Sequence, residues 1–243
     1  MTDYIRTSHL EYPKIDTAQM IEVDRLMIEE YQIGLLQMME NAGRCLAILV
    51  KERFFDGDVA GKSILVMAGT GGNGGGALVA ARRLHNWGAK VAVYTTAKEE
   101  RYSPVALHQY QILKRMEVPV HQAEIPSNKT SVAAILDGVI GYSLQGDPRG
   151  LAAELIHWAN AQKVPVIALD SPSGLSLTTG KLYKPTVRAT ATLTLALPKK
   201  GLFEESAKDV VGELYLGDIS VPMELDKERD WGTSIQNISR HTD

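Results

Sequence analysis

The stretch from Lys62 to Tyr94 constrains the fold of this chain more than any other. Its first part, Ile64 to Ala68, has the length and composition of a buried strand, and it runs into Gly69-Thr70-Gly71-Gly72-Asn73-Gly74-Gly75-Gly76. Apolar residues then recur at helical spacing from Ala77 to Trp87, and a second strand is predicted from Lys90 to Tyr94. This order of elements predicts a strand–turn–helix–strand unit of a parallel α/β sheet.

The glycine-rich turn predicts a site for an anionic ligand. Gly69, Gly71 and Gly74 satisfy the pattern G-x-G-x-x-G between a strand and a helix. Glycines let backbone N–H groups approach a ligand at the positive end of a helix dipole. One alternative stays open, in which the glycines only pack the helix tightly onto the sheet. The second strand ends in Thr95-Thr96 without the usual acid for ribose hydroxyls, which weakens the case for an ordinary NAD-dependent dehydrogenase.

Two acids stand at the ends of later predicted strands. Asp137 lies near the end of the apolar run Val132 to Ile140, and Asp170 directly follows the strand Val166 to Leu169. Ligands of open α/β sheets bind outside the carboxyl ends of the strands, so both acids are candidate site residues. Asp170 is a plausible proton shuttle, with the Ser173 hydroxyl close by in sequence. For each acid the alternative is that its carboxylate caps its own loop or turn.

A loop with three glycines follows the first of these acids. It reads Gly141-Tyr142-Ser143-Leu144-Gln145-Gly146-Asp147-Pro148-Arg149-Gly150. Loops carry much of the binding function of proteins. We therefore expect this loop to wrap a ligand over the edge of the sheet.

The rest of the chain predicts one α/β domain with N-terminal helices. Asp16 or Thr17 caps a helix that runs to about Tyr31, and a second helix follows from about Leu35 to Phe55. Residues 1–15 are predicted to form an arm that packs on the body or on a second subunit. Residues 16–222 form the domain, and the polar residues 223–243 form a peripheral tail.

Charge and hydropathy exclude two classes of partner. The formal net charge of -3 for 243 residues argues against a nucleic-acid binder, which usually carries excess positive charge. The chain contains no run of about 18 apolar residues and no apolar or Arg-rich targeting segment at its N-terminus. We therefore expect a soluble, cytoplasmic protein that acts on neither nucleic acid nor membrane.

Several of these stretches together resemble the NAD(P)H-hydrate epimerases, also called YjeF N-terminal domain proteins. The resemblance covers roughly residues 15–222, in the family's order. Its pieces are Met39-Glu40-Asn41-Ala42-Gly43-Arg44, the turn Gly69 to Gly76 with Leu78-Val79-Ala80-Ala81-Arg82, Asp137 with the loop from Gly141, Leu169-Asp170-Ser171-Pro172-Ser173-Gly174, and Val211-Gly212-Glu213-Leu214.

The resemblance implies a three-layer αβα Rossmann-like fold with a mostly parallel central sheet, usually in a dimer. It implies an isomerase that interconverts the R and S epimers of hydrated NADH and NADPH. It also implies a potassium ion as cofactor, held by the side chains of Asn73, Asp137 and Ser173. A separate NAD(P)H-hydrate dehydratase is the implied functional partner, because it repairs only the S epimer.

The resemblance assigns the catalytic role to Asp170 and substrate binding to two segments. The substrate-binding residues are Gly72, Asn73, Gly74, Gly75, Gly76, Gly141, Tyr142, Ser143, Leu144, Gln145, Gly146, Asp147 and Asp170. The turn departs from the family's usual Asn-Asn-Gly-Gly-Asp-Gly, because Gly72 replaces the first Asn and Gly76 replaces the Asp.

Two other functions stay open from the sequence. The first is a nucleotide-binding module of this family that serves as a scaffold or protein-interaction domain. The second is an enzyme that uses the same pocket for another nucleotide or a sugar phosphate.

Overall fold

The structure is a computed structural model that describes residues 4–6, 13–127, 130–222 and 225. Its strands are β1 (Tyr4–Arg6), β2 (Ser63–Ala68), β3 (Lys90–Thr95), β4 (Val120–Gln122), β5 (Ala134–Gly138), β6 (Val166–Leu169), β7 (Ala191–Leu195) and β8 (Glu213–Gly217). Its helices are α1 (Thr17–Glu29), α2 (Leu35–Phe54), α3 (Gly72–Asn86), α4 (Pro104–Arg115), α5 (Gly150–Asn160) and the short α6 (Lys208–Val211).

The strands form one sheet whose order reverses beside β2. The order across the sheet is β1-β8-β7-β6-β5-β2-β3-β4, and every pairing among β2 to β8 is parallel. The chain therefore builds outward from β2 to β4, returns to the other side of β2, and continues from β5 to β8. In such sheets the crevice between β2 and β5, at their carboxyl ends, is the expected ligand site.

Helices cover both faces of this sheet. Alternate residues of β2 point to opposite faces, so that Ile64 and Val66 pack in one apolar cluster while Leu65 and Met67 pack in another. The first cluster includes residues of α2, α3 and α4, and the second includes residues of α5. Burial on both faces explains why the parallel strands read as continuous apolar runs.

The first helix and the N-terminal strand frame the sheet. Asp16 caps α1 through a capping box with Gln19, which settles the cap between the two residues proposed from the sequence. The buried face of α1 packs in an apolar cluster with Ile219 and Leu197, which follow β8 and β7. Strand β1 pairs antiparallel with β8, so this part of the arm lies on the body of the domain. Of the predicted tail 223–243, only Leu225 is described, and it is buried in the same cluster as α1; residues 223–224 and 226–243 lie outside the described residues.

The third helix begins earlier than the sequence predicts. The apolar residues at helical spacing predict a start at Ala77, but α3 begins at Gly72 with Gly71 as its N-cap, although glycine has a low helix propensity. Close packing accompanies the difference. A Cβ atom on Gly43 of α2 would lie 2.5 Å from the carbonyl oxygen of Gly76, so α2 packs directly against the glycine part of α3. Tertiary contact therefore overrides local propensity.

In the part of the chain that the structure describes, no helix combines the length and apolar character needed to cross a bilayer.

Candidate functional site

A cavity of about 560 Å³ opens at the carboxyl edge of the sheet. Its lining comes from the turn after β2, the start of α3, the loop after β5, the ends of β6 and β7, and helices α1 and α2. Its volume is in the usual range for a small-molecule site. The polar side chains in its lining are Asp24, Thr70, Asn73, Thr96, Tyr142, Ser143, Asp170 and Lys199.

The first glycines of the turn are open to a ligand. Gly71 and Gly72 line the cavity, and Cβ atoms on either residue would meet nothing within 4 Å. No side chain caps α3 at Gly71. The first N–H groups of a helix have no partner within the helix, so this end can hold an anionic group.

The later glycines serve packing instead. A Cβ atom on Gly74 would lie 1.9 Å from the carbonyl oxygen of Gly69, and one on Gly75 would lie 2.4 Å from the Sδ of Met39. Gly75 and Gly76 do not line the cavity, although the sequence places both in a substrate-binding segment. The two readings of the glycine-rich turn therefore apply to different halves of it.

The position where the family's turn usually has an Asp is also buried. A Cβ atom on Gly76 would lie 2.8 Å from the Cδ2 of Leu169. A larger residue would need this leucine to move, so Gly76 allows the end of β6 to approach α3. Gly76 itself is not part of the cavity lining.

Asp137 is fully buried and is held by neutral donors. Its Oδ1 accepts hydrogen bonds from the Ser173 Oγ at 2.7 Å and the Val139 N–H at 3.2 Å, and its Oδ2 accepts one from the Ser173 N–H at 2.8 Å. The Ile140 N–H in turn donates to the Ser173 Oγ at 2.8 Å. Burial raises the pKa of Asp137 to about 6, although these hydrogen bonds oppose the increase.

Asn73 lies on the other side of the same loop. A Cβ atom on Gly141 would lie 3.2 Å from the Cβ of Asn73 and 3.5 Å from its Oδ1, so the loop passes directly against this side chain. The Asn73 Nδ2 is buried and has no hydrogen-bond partner among the described residues. An unpaired buried N–H donor is unusual, and a hydrogen-bond acceptor on a ligand would complete its environment.

The oxygens of these three side chains are of the chemical types that could hold a monovalent cation. Asn73, Asp137 and Ser173 provide amide, carboxylate and hydroxyl oxygens, the donors that hard cations prefer. The described part of the chain contains no cluster of three His, Cys, Asp or Glu side chains that would hold a metal ion. Asp137 contributes one negative charge and has no cationic partner in the described residues. A bound ion with a single positive charge would neutralise it.

Asp170 is buried beside an equally buried lysine. The Nζ of Lys199 donates to the Asp170 Oδ1 at 2.6 Å, to the Leu195 carbonyl oxygen at 2.7 Å and to the Thr194 Oγ1 at 3.3 Å. These bonds use all three donors of the ammonium group and fix its position. Both side chains of the pair line the cavity.

The position of Asp170 leaves one of its oxygens unoccupied by protein groups. The Leu195 N–H also donates to Oδ1, at 3.4 Å, and no described residue forms a hydrogen bond with Oδ2. The residue has a φ of 63°, a left-handed conformation that Asp tolerates better than most residues. Such conformations concentrate at functional sites.

A second acid enters the cavity from α1. The Tyr142 hydroxyl donates to the Oδ2 of Asp24 at 2.7 Å, and both residues line the cavity. Burial raises the pKa of Asp24, although the Tyr142 hydrogen bond and the charge of Lys199 oppose this increase. Burial and the nearby Asp24 carboxylate raise the pKa of Tyr142 as well.

The predicted loop reaches the cavity only through its first residues. Gly141, Tyr142 and Ser143 line the cavity, whereas Leu144, Gln145, Gly146 and Asp147 do not. The Asp147 Oδ1 instead accepts a hydrogen bond from the Lys184 N–H at 3.0 Å. The far part of the loop is thus tied to the segment that follows β6.

Sequence reasoning missed two members of this site. They are Lys199 and Asp24. Lys199 pairs with Asp170 in the interior, whereas its neighbour Lys200 has the same side chain but pairs with Asp16 at the surface. The apolar flank Leu197-Pro198 was the available signal for Lys199, whereas no local pattern marks the contact between Asp24 and Tyr142, which are 118 positions apart.

Glu40 is a structural brace outside the cavity lining. Its carboxylate accepts hydrogen bonds from Arg82 at 2.6 and 2.7 Å, from Arg83 at 3.2 Å and from Gln109 at 3.0 Å. These bonds join α2 to α3 and α4. Glu40 therefore stabilises the packing of these three helices against one another. Asn41 donates to the Ser220 Oγ at 3.0 Å.

Comparisons with known proteins place these features in one family. The family model described as "YjeF-related protein N-terminus" matches residues 35–201. A protein of Dehalogenimonas lykanthroporepellens named NAD(P)H-hydrate epimerase is 44% identical over 204 residues, which are 84% of this chain and 80% of that protein. A protein of Rhodopirellula baltica with the same name is 31% identical over 228 residues, covering 93% of this chain and 91% of its own.

Two further relatives extend the comparison. A bifunctional NAD(P)H-hydrate repair enzyme of Moorella thermoacetica is 36% identical over 220 residues, and the match covers 87% of this chain but 41% of that protein. The crystal structure of the yeast protein YNL200c superposes with a TM-score of 0.76 at 25% identity, covering 93% of this chain and 95% of that chain. The predicted Rossmann-like fold is confirmed.

Proposed function

This chain belongs to the YjeF-related protein N-terminus family, as predicted, and we propose that it is an NAD(P)H-hydrate epimerase that interconverts the R and S epimers of hydrated NADH and NADPH. One observation carries the proposal. A single cavity combines an open helix N-terminus, suited to phosphates, with a buried acid whose second oxygen is free to exchange a proton.

The start of α3 holds the phosphates of the dinucleotide. Gly71 and Gly72 let the backbone approach within hydrogen-bonding distance, and the helix dipole favours negative charge at this end. Binding at this position directs the hydrated ring toward the ends of β6 and β7.

Asp170 transfers a proton to and from the hydroxyl oxygen on the reacting carbon. That carbon carries a hydroxyl and adjoins the ring nitrogen, so the nitrogen lone pair can form a C=N bond as the C–O bond breaks. Asp170 takes up a proton from solvent when the hydrate binds and gives it from Oδ2 to the departing oxygen, which leaves as water. The resulting carboxylate stabilises the iminium cation until water adds to the ring again.

Lys199 fixes the acid for this task. Its bond to Oδ1 holds the carboxyl group in one orientation and leaves Oδ2 for the substrate. The bonds from Lys199 to Leu195 and Thr194 anchor the ammonium group to the end of β7. The position of the Asp170 carboxyl group is therefore fixed by residues at the ends of β6 and β7.

Asn73, Asp137 and Ser173 would hold the potassium ion. When bound, the ion supplies a positive charge that compensates Asp137 and joins the loop after β5 to the start of α3. This loop carries Gly141 to Ser143 into the cavity lining, so the ion would keep the substrate-binding loop in place.

The proposal includes a homodimer in the cytoplasm that works with an NAD(P)H-hydrate dehydratase. The bifunctional names of some relatives support the functional link to a second repair activity. Exposed apolar residues on α1 and at the start of α2, namely Ile21, Ile28, Leu35 and Leu36, support a subunit interface. Light scattering on the purified protein measures the oligomeric state.

A chiral assay tests the function. One purified epimer of NADH hydrate or NADPH hydrate is incubated with the protein, with and without potassium, and both epimers are separated by chromatography. Conversion faster than the spontaneous rate supports the proposal. Binding of the hydrates without accelerated conversion under any of these conditions overturns it and favours the binding module.

A further inference from the structure

A pair of side chains in the cavity has no role in the chemistry described so far. Asp24 and Tyr142 come from α1 and from the loop after β5, and the Tyr142 hydroxyl donates to Asp24 at 2.7 Å. In the described part of the chain no Lys or Arg forms an ion pair with Asp24. A half-buried acid in a ligand cavity, bonded only to a tyrosine, is poised to accept a proton.

The pair shares its electrostatic environment with the Asp170–Lys199 pair. The charges of Lys199 and Asp170 both act on the Asp24 carboxyl, and the charge of Asp170 acts on the Tyr142 hydroxyl. Burial is the largest influence on both groups and favours their protonated forms. Asp24 can therefore retain a proton that reaches it from the cavity.

Epimerisation requires proton transfer on both faces of the ring, and one fixed carboxyl group reaches only one face. The hydroxyl leaves from one face of the ring, and water must add to the opposite face. Asp170 is held at Oδ1 by Lys199 and by the Leu195 N–H, so only its Oδ2 is left for proton transfer, and one fixed oxygen can serve only one face of a ring. A second proton-transfer group is needed on the other side.

We propose that Tyr142 and Asp24 form that second group and serve the ring face opposite Asp170. Water forms the new C–O bond with its lone pair while the C=N electrons return to nitrogen. The water then gives a proton to the Tyr142 oxygen as the Tyr142 proton moves to the Asp24 Oδ2. The opposite direction reverses each step, and solvent restores the two acids to their starting states after product release.

This inference rests on the proposed function, and oxygen exchange separates the two. Each purified epimer is incubated in ¹⁸O-labelled water. Mass spectrometry then measures the label in the unconverted epimer and in the product, after correction for the reaction without enzyme. A wild-type protein that converts neither epimer refutes the proposed function itself, before any variant is examined.

Tyr142→Phe gives the decisive pattern because it keeps the ring and removes the hydroxyl. The epimer whose hydroxyl faces Asp170 should still exchange its oxygen within about threefold of the wild-type rate, while its conversion falls by tenfold or more, on the order of a lost acid–base group. For the other epimer, exchange and conversion should both fall. Asp24→Asn should give the same asymmetry, and Asp170→Asn should give its mirror image.

A matched control separates chemistry from packing. Tyr31 packs in the same apolar cluster as Tyr142 but does not line the cavity, so Tyr31→Phe should leave both rates unchanged. Melting temperatures confirm that the variants fold. Equal losses of exchange and conversion with both epimers in Tyr142→Phe and Asp24→Asn, or no loss in either variant, would overturn the proposal.

Discussion

Asp137 and Asp170 are two buried carboxyl groups at the carboxyl ends of neighbouring strands, but they differ in what surrounds them. Asp137 is held by one hydroxyl and two backbone N–H groups, without a cation. Asp170 is held by the ammonium group of Lys199 at 2.6 Å. Two aspartates at the same edge of one sheet therefore have different electrostatic environments, and each environment suits a different binding partner.

The difference supports the proposal that Asp137 binds a cation and that Asp170 reacts. All the donors around Asp137 are neutral, and its negative charge is uncompensated, so an ion can complete the site. Asp170 already has its countercharge and keeps one oxygen free in the cavity. If the two environments were exchanged, Asp137 would no longer carry an uncompensated charge and Asp170 would no longer present a free oxygen to the cavity.

Removing the acid function of Asp170 should have the largest effect. Asp170→Asn keeps the shape of the side chain but cannot transfer a proton, so epimerisation should slow on the order of 10²–10⁴-fold. Initial rates with one purified epimer measure this. The exposed Asp58 is far from the cavity lining, and Asp58→Asn serves as the control with wild-type activity. A rate for Asp170→Asn within twofold of wild type would contradict the comparison.

Removing the cation from the Asp170 pair should have the next largest effect. Lys199→Met leaves a buried carboxylate without a partner, and we expect the free energy of unfolding to fall by about 3–5 kcal/mol. Urea denaturation measures the change. Lys200→Met is the matched control, since Lys200 pairs with Asp16 at the surface and should change stability by less than about 1 kcal/mol. Equal losses in the two variants would remove the distinction between the carboxyl groups.

Removing potassium should expose the charge of Asp137. Its pKa of about 6 exceeds the ordinary value of 3.8, so its contribution to stability is full below pH 4 and is lost as pH rises through about 6. In potassium-free buffer this loss should reach about 3 kcal/mol. Potassium should restore stability at pH 8 far more than at pH 5.

Thermal melts of wild type and Asp137→Asn, with potassium or with the larger organic cation tetramethylammonium, check this expectation. The potassium effect should disappear in Asp137→Asn and remain in Asp170→Asn. A potassium effect that is unchanged in Asp137→Asn would show that the ion binds elsewhere.

Removing one neutral donor should have the smallest effect. Ser173→Ala deletes a hydrogen bond to the ionised form of Asp137, so stability at pH 8 should fall by about 1–2 kcal/mol, with a smaller loss at pH 5. Ser171 provides the control, because its buried hydroxyl has no hydrogen-bond partner in the described residues, and Ser171→Ala should be nearly neutral. A loss for Ser173→Ala that does not depend on pH would argue against a charged Asp137.

The sequence predicted the parts of this account that depend on local pattern. Apolar runs marked β2 and β6, and the rule that ligands bind at the carboxyl ends of parallel strands brought Asp137 and Asp170 to one edge. The glycine-rich stretch after β2 was recognised as a turn that precedes a helix and could hold an anion. These signals are readable because a buried parallel strand and its following turn are continuous in the chain.

The remaining parts depend on contacts between distant residues. Lys199 and Lys200 are adjacent and identical, and only the fold buries the first beside Asp170 and exposes the second. The pairing of Asp24 with Tyr142 requires α1 to lie against the loop after β5. Likewise, Gly71 and Gly75 look alike in sequence, and the position of Met39 on α2 decides that only the first is open to a ligand.

A crystal structure of the wild-type protein with bound NADPH hydrate tests the central claim most directly. The hydroxyl-bearing carbon of the reduced ring should lie beside Asp170, with the oxygen of one epimer about 3 Å from Oδ2. The phosphates should lie at the N–H groups of Gly71 and Gly72. A ring held away from Asp170, or an adenine in its place, would contradict the account.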